Sequence, residues 1–179
     1  GHCIPKDPRF LLESAKKLGS NFQTIENAIL VNSSMPKYIS ESINKNVSKL
    51  NLKKTILVCG LTYKANVEDM RDSASFKIMQ ILKEMGFIVY GFDPYFNKNL
   101  IEKYLIENNL KEKTFNIIDK LDDEKIEEID SMCIVQHHEQ LEKILNEIYE
   151  KGKFSLIYDC QNKIKKNKKS ETILLSLGT

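Results

Sequence analysis

The chain has no excess of either charge. Its 27 lysines and arginines face 25 aspartates and glutamates, leaving +2. That is too little for a nucleic-acid binder or a polybasic membrane protein. No apolar run reaches the ~20 residues of a membrane span, and no secretory signal is visible. The four cysteines, Cys3, Cys59, Cys133 and Cys160, form no C-x-x-C pair. The histidines, His2, His137 and His138, show no metal-site spacing with them, which argues against zinc. Reduced thiols in a cytoplasmic protein are the simplest account of such cysteines. There is also no G-x-G-x-x-G. With no initiator methionine, the chain is expected to be a piece of something larger. Its 179 residues suffice for one domain with its own core and an appendage.

What is present begins at once, in Gly1-His2-Cys3-Ile4-Pro5-Lys6-Asp7-Pro8. Asp-Pro is a helix start signal: Asp7 can cap, and Pro8 can take the first helical position. A helix over Arg9 to Leu18, ended by Gly19, is predicted. Cys3 then lies near the positive end of a helix and beside His2, and both favour thiolate. Cys3 is therefore a candidate nucleophile, against the alternative of a small buried core residue.

Two regions differ in pattern. Residues 8 to about 50 read as helix only, with Phe22, Ile25, Ile29, Asn32, Ile39, Ile43, Val47 and Leu50 at helical spacing. Pro36 either kinks this stretch or restarts it. Its apolar stripe must pack on this chain, on another domain or on a second copy. From Lys53 the rhythm becomes strand, helix, strand. Strands are expected at Thr55–Cys59, Phe87–Phe92, Thr114–Ile118, Ser131–Val135 and Ser155–Asp159, with a last short one at Thr172–Leu175. Helices are expected at Ser73–Met85, with Ile78, Ile81, Leu82 and Met85 on its inner face, and at Glu139–Lys151. This is an α/β pattern, a mostly parallel sheet covered on both faces. Ligands in such sheets bind beyond the carboxyl ends of the strands. The five lysines of the run 163–169 read as a solvated loop.

The loop after the first strand, Gly60 to Ser73, is long for a strand-to-helix turn. With one glycine it lacks a dinucleotide cradle, so this sheet is not expected to be the NAD site. It does place Lys64 and Arg71 at the ligand edge, just before a helix N-terminus. Cations and free amides there suit phosphate, against the alternative of two surface cations on a mobile loop.

Together these two motifs resemble the UDP-sugar 6-dehydrogenases. Gly1 to Pro8 is similar to that family's catalytic-cysteine motif. Gly60 to Ser73 is similar to the opening of its UDP-binding domain, and Val31-Asn32-Ser33-Ser34-Met35-Pro36-Lys37-Tyr38-Ile39 to part of its central helix. His2 before the cysteine resembles the branch acting on UDP-N-acetylhexosamines, notably UDP-N-acetylmannosamine. The UDP-glucose branch is the alternative.

The resemblance implies a Rossmann-like UDP-binding domain over 51–179. It implies that residues 1–50 are half of a helical connector that builds a homodimer, and that an NAD-binding domain precedes them. It also implies a four-electron oxidation using two NAD, through a thiohemiacetal and a thioester on Cys3. Asp7 matches a residue that positions or activates the water, besides its capping role. Tyr63 and Lys64 match contacts to the UDP moiety, and Arg71 matches an arginine reaching the NAD pyrophosphate. The product would enter polysaccharide synthesis, and the chain alone is expected to be inactive.

Asp159-Cys160-Gln161-Asn162 departs from the family pattern, since Gln161 replaces a cation. Asp93 before Pro94 reads as a turn cap, with a ribose contact as the alternative. His138 reads as a structural imidazole. A non-catalytic module that dimerises and binds UDP is the competing functional class.

Overall fold

The computed structural model describes residues 3–110, 115–121, 124–166 and 170–178, with backbone alone at 5, 124 and 125. His2, Thr114 and the 167–169 end of the lysine run lie outside the described residues.

Helix α1 spans Cys3–Lys17, so the predicted start at Asp7-Pro8 is corrected. The helix begins a turn earlier and includes Cys3 itself. Pro8 lies inside it and forfeits only the bond from residue 8 to the carbonyl of Ile4. Gly19, at φ 71°, ends the segment in the left-handed conformation that favours glycine. Helix α2 spans Gln23–Lys49 and runs unbroken through Pro36. Hydroxyls support it around the missing donor: Ser33 and Ser40 Oγ donate to the carbonyls of Ile29 and Pro36, four residues back. The second half of α2 buries Pro36, Ile39, Ser40, Ile43 and Val47. Its first half leaves Leu30 and Val31 exposed at 66% and 61%.

Six parallel strands follow: β1 Thr55–Cys59, β2 Ile88–Phe92, β3 Asn116–Ile117, β4 Ser131–Ile134, β5 Leu156–Asp159 and β6 Ile173–Ser176. Their order is β3-β2-β1-β4-β5-β6. Helices α3 (Ala74–Glu84), α4 (Lys98–Glu107) and α5 (Glu142–Glu150) cross between them. The strand pattern, the parallel sheet and its covering on both faces agree with the sequence reading. Helix α4 was not anticipated. Its signals are the Asn97 cap, whose Oδ1 accepts from Leu100 N at 3.0 Å, and the buried pair Ile101 and Leu105. On α3, Phe76 and Met79 join Ile78 and Leu82 in the core, while Ile81 and Met85 are only half-buried.

Strand residues alternate between two cores. Ile56, Val58, Val89, Cys133 and Tyr158 meet α2, α3 and α4 through Ile43, Val47, Met79, Leu82 and Ile101. Leu57, Cys59, Met132, Ile134 and Ile157 meet α5 through Leu145, Ile148 and Tyr149. The second half of α2 thus belongs to the sheet's own core, and each such buried aliphatic contributes about 1.5–3 kcal/mol. The strands from β1 to β3 are added toward one edge of the sheet and those from β4 to β6 toward the other, so the winding switches between the adjacent parallel strands β1 and β4. The crevice beyond their carboxyl ends is where this architecture binds ligands.

Candidate functional site

Four segments meet at that crevice: the β1 loop (60–73), Asp93 after β2, residues 135–138 after β4, and the turn after β5. Gly60 sets the first approach. It has φ +83°, and a Cβ there would lie 2.5 Å from the Gln136 carbonyl oxygen and 2.7 Å from Gln136 Cβ. Only glycine allows β1 to leave the sheet so close to the β4 segment.

The β1 loop is then bonded at almost every step. Leu61 N and Thr62 N donate to Asp93 Oδ2 at 2.6 and 3.2 Å. Thr62 Oγ1 donates to Lys64 O at 2.9 Å, and Tyr63 N to Asp69 O at 3.0 Å. Ser73 caps α3 by accepting from Ser75 N, and its hydroxyl donates back to Thr62 O. Ser75 Oγ donates to Gly60 O at 2.6 Å. The mobile-loop alternative is therefore the weaker one.

His138 is buried and joins these segments. Its Nδ1 accepts from Asn66 N at 3.1 Å, so the ring proton sits on Nε2. That proton faces Asp93 Oδ2 at 3.2 Å and Thr62 Oγ1 at 3.3 Å. Tyr95 packs against the imidazole, centroids 4.9 Å apart. Asp93 Oδ1 accepts from Tyr95 N at 2.9 Å, which is the turn cap expected of it. The hydrogen-bond set around His138 matches the structural role read for it.

In the β5 turn, Asp159 lies below the usual carboxylate range. Burial pushes it up, but the His137 bond at 2.7 Å, the backbone amide of Ile164, the His137 charge and the backbone amide of Gln161 outweigh burial. Gln161 donates to Gln136 Oε1 at 2.8 Å. Gln136 in turn donates to Tyr63 O at 3.2 Å. An amide relay thus links the β5 turn to the β1 loop.

Of the sequence-predicted site residues, Tyr63 is half-buried and Lys64 exposed, side by side on the β1 loop. Arg71, on the same loop, is exposed and grips Asp69: Nε lies 3.0 Å from Oδ1 and Nη2 2.7 Å from Oδ2. That hydrogen bond, and then the Asp69 charge, raise its pKa. Cys3 is exposed at the start of α1, and Asp7, also exposed, stands four residues on, on the same helical face. Lys6 reaches Asp72 at 3.6 Å, which brings α1 to the β1 loop through a solvent-exposed ion pair. The other thiols are inward. Burial, and then Asp93, push the Cys59 thiol far up. Cys133, raised by its contact with Cys160 and by burial, lies with its sulfur 3.9 Å from that of Cys160. Among the described residues no helix is long and apolar enough to cross a membrane.

Residues 57–166 match the UDP-glucose/GDP-mannose dehydrogenase family, UDP binding domain. A parallel, doubly covered sheet with a long, internally bonded loop at its switch point is the class of protein defined here. The chain belongs to the UDP-glucose/GDP-mannose dehydrogenase family and carries its UDP-binding domain. It is 31% identical over 174 residues to a UDP-N-acetyl-D-mannosamine dehydrogenase of Methanococcus vannielii, a match covering 93% of this chain and 36% of that protein. It is 32% identical over 122 residues to protein CapL of Staphylococcus aureus, covering 66% of this chain and 29% of that one. The solved UDP-D-ManNAc dehydrogenase of Pyrococcus horikoshii superposes with a TM-score of 0.75 at 27% identity, covering 99% of this chain and 38% of that one. The chain thus spans between 29% and 38% of the length of these relatives.

Proposed function

We propose that this chain is part of an NAD-dependent UDP-N-acetyl-D-mannosamine 6-dehydrogenase, in which it supplies the nucleotide-sugar side of the active site and the nucleophile. The observation that carries this reading is Cys3: an exposed thiol at the start of α1, with Asp7 on the same face and Lys6 paired to the β1 loop. A pure binding module needs no such thiol. Sequence similarity to UDP-N-acetyl-D-mannosamine dehydrogenases over nearly the whole chain supports the choice of substrate.

In this mechanism Tyr63 and Lys64 hold the UDP moiety, Lys64 as the countercharge to the diphosphate. Once the C6 alcohol has lost a hydride to the acceptor and its hydroxyl proton to water, the Cys3 thiolate forms a C–S bond to the C6 aldehyde, and the carbonyl oxygen takes a proton from water, giving a thiohemiacetal. After its oxidation to the thioester, water adds to the acyl carbon and the C–S bond breaks. The uronate leaves and the thiolate returns. Asp7 takes the proton of the attacking water. NAD supplies the hydride acceptor for both oxidations.

The β1 loop does not make a dinucleotide cradle. Gly60 is closed off by Gln136, and the Leu61 and Thr62 amides are taken by Asp93. On this reading the β1 loop is therefore not where the nicotinamide cofactor is held. Arg71 is its one proposed contact to NAD, and it must share or leave Asp69 to make it. The exposed apolar residues of the first fifty, among them Phe10, Leu18, Leu30 and Val31, suit burial in a homodimer. Sedimentation at micromolar concentration should then give a dimer, and a monomer contradicts that part.

The test has two arms. Calorimetry of the 179-residue chain with UDP should show binding that weakens about tenfold or more in Lys64→Ala. In the native protein that contains this chain, Cys3→Ala should abolish NADH production from UDP-N-acetylmannosamine. Undiminished turnover by that variant defeats the mechanism.

A further inference from the structure

We infer that Asp93 and His138 are positioning residues, a buried clamp that holds the β1 loop in the shape in which Tyr63 and Lys64 meet the nucleotide. The inference rests on the reading that this loop binds UDP. The geometry on which it stands is independent of that reading.

The clamp seizes the loop on both sides of the two residues in question. Upstream, one carboxylate oxygen, Asp93 Oδ2, takes the consecutive amides of Leu61 and Thr62 at 2.6 and 3.2 Å. Downstream, His138 Nδ1 takes the amide of Asn66 at 3.1 Å. The two halves are joined to each other, because His138 Nε2 lies 3.2 Å from the same Asp93 oxygen. Tyr63 and Lys64 therefore sit between anchors at 62 and 66. Thr62 Oγ1 bonds the Lys64 carbonyl inside that span, and Asn66 Oδ1 secures the far side by accepting from Glu139 N at 2.9 Å. Asp93 is itself fixed by Tyr95 N on its other oxygen.

Burial decides the strength. Asp93 is 1% exposed and both His138 and Thr62 are 0% exposed. Water cannot replace a lost partner there, so the loop is held to one geometry. The clamp also requires a neutral imidazole with its proton on Nε2. A proton on Nδ1 would face the Asn66 amide, donor against donor. None of these groups needs to touch the ligand. They act through the loop that does.

The test uses the 179-residue chain as wild type, His138→Ala and His138→Gln, with UDP as the probe. Glutamine restores one donor toward Asp93 and one acceptor. The expected result is UDP affinity about tenfold or more weaker in His138→Ala and recovered in part in His138→Gln. Amide hydrogen exchange at Leu61, Thr62 and Asn66 should quicken in the alanine variant while Leu57 and Val58 in β1 keep their protection. Nitrogen-resolved NMR of the wild-type imidazole should place its proton on Nε2. Unchanged UDP affinity in His138→Ala, or a proton on Nδ1, overturns the proposal. Should exchange quicken in β1 as well, the alanine variant has lost its fold and His138→Gln carries the comparison. No recovery there overturns the clamp. If wild type gives no heat with UDP, the nucleotide reading falls and exchange alone decides the clamp. Quickening confined to the three loop amides sustains it, and its absence overturns it.

Discussion

Replacing Asp159 with asparagine should loosen the crevice from its β5 side. Each oxygen of Asp159 accepts twice: Oδ1 from His137 Nε2 and Gln161 N, Oδ2 from Lys163 N and Ile164 N. Asparagine turns one of those oxygens into a donor and removes the charge from the other. If the amide nitrogen takes the Oδ2 place, the Ile164 N–H is left buried against it, while the exposed end of the turn at Lys163 can find water. A bond to a charged group is worth about 1.5–3 kcal/mol and an orphaned buried donor costs about 1–3 kcal/mol, so a total near 2–4 kcal/mol is expected. For a chain of this size that lowers the melting temperature by about 5–15 °C.

The pH dependence gives the sharper check. The folded pKa of Asp159 is depressed, through its His137 and amide bonds acting against burial. Its contribution is therefore fully present above the unfolded carboxylate value of about 3.9 and is lost as pH falls through the lower folded value. Asp159→Asn lacks the titration. The gap between the two proteins should be widest near about pH 7 and narrow toward about pH 3. Urea unfolding midpoints at both pH values measure it. Equal midpoints at neutral pH, or a gap that widens in acid, refute the argument.

Gly60→Ala should cost about 2 kcal/mol or more, from the left-handed backbone and a methyl forced onto the Gln136 backbone, and should also weaken UDP binding, measured by urea titration and calorimetry. Ile43→Ala, at a site 0% exposed between α2 and the sheet, should lose about 2–5 kcal/mol in chemical denaturation and leave a cavity rather than an unfolded α2. Alkylation of the native protein should label Cys3 first, half-buried Cys160 more slowly and Cys59 only on unfolding, since burial keeps that thiol protonated. Mass spectrometry after timed iodoacetamide exposure shows the order.

The sheet was legible because its strands announce themselves locally. Ile56-Leu57-Val58 and Met132-Cys133-Ile134 are unbroken apolar runs of the kind a doubly covered parallel strand needs. Helix α3 was legible for a similar reason, with Ser73 and Gly86 marking its ends. Helix α4 was not, since in ten residues it buries only two apolar side chains and its cap is a single asparagine. The start of α1 was misplaced because Asp7-Pro8 is a local signal that the chain overrides. A proline in the second turn loses only one hydrogen bond, and Lys6, Asp7 and Pro8 continue the helix that Cys3 begins. The roles read for Asp93 and His138, a turn cap and a structural imidazole, agree with their hydrogen bonds. What the sequence could not show is that they share one oxygen, because that contact joins residues 45 positions apart.

The same oxygen explains why a sheet with the strand order of a dinucleotide-binding fold has no dinucleotide cradle. In such folds the amides that follow β1 are the anion site, kept open by glycines and aimed at a pyrophosphate. Here those amides, Leu61 and Thr62, already hold an anion that is part of the protein, the carboxylate of Asp93. A phosphate placed there would meet a buried carboxylate instead of vacant donors, and like charges at that distance in a dry site repel strongly. On the proposed reading, a diphosphate is therefore met farther out along the loop, at Lys64, an exposed cation within the span that Asp93 and His138 hold. Asp93→Asn should remove that exclusion without restoring a cradle, because Gln136 still covers Gly60. The variant should gain no affinity for NAD by calorimetry, and tight NAD binding by it would show that the carboxylate alone keeps the dinucleotide out.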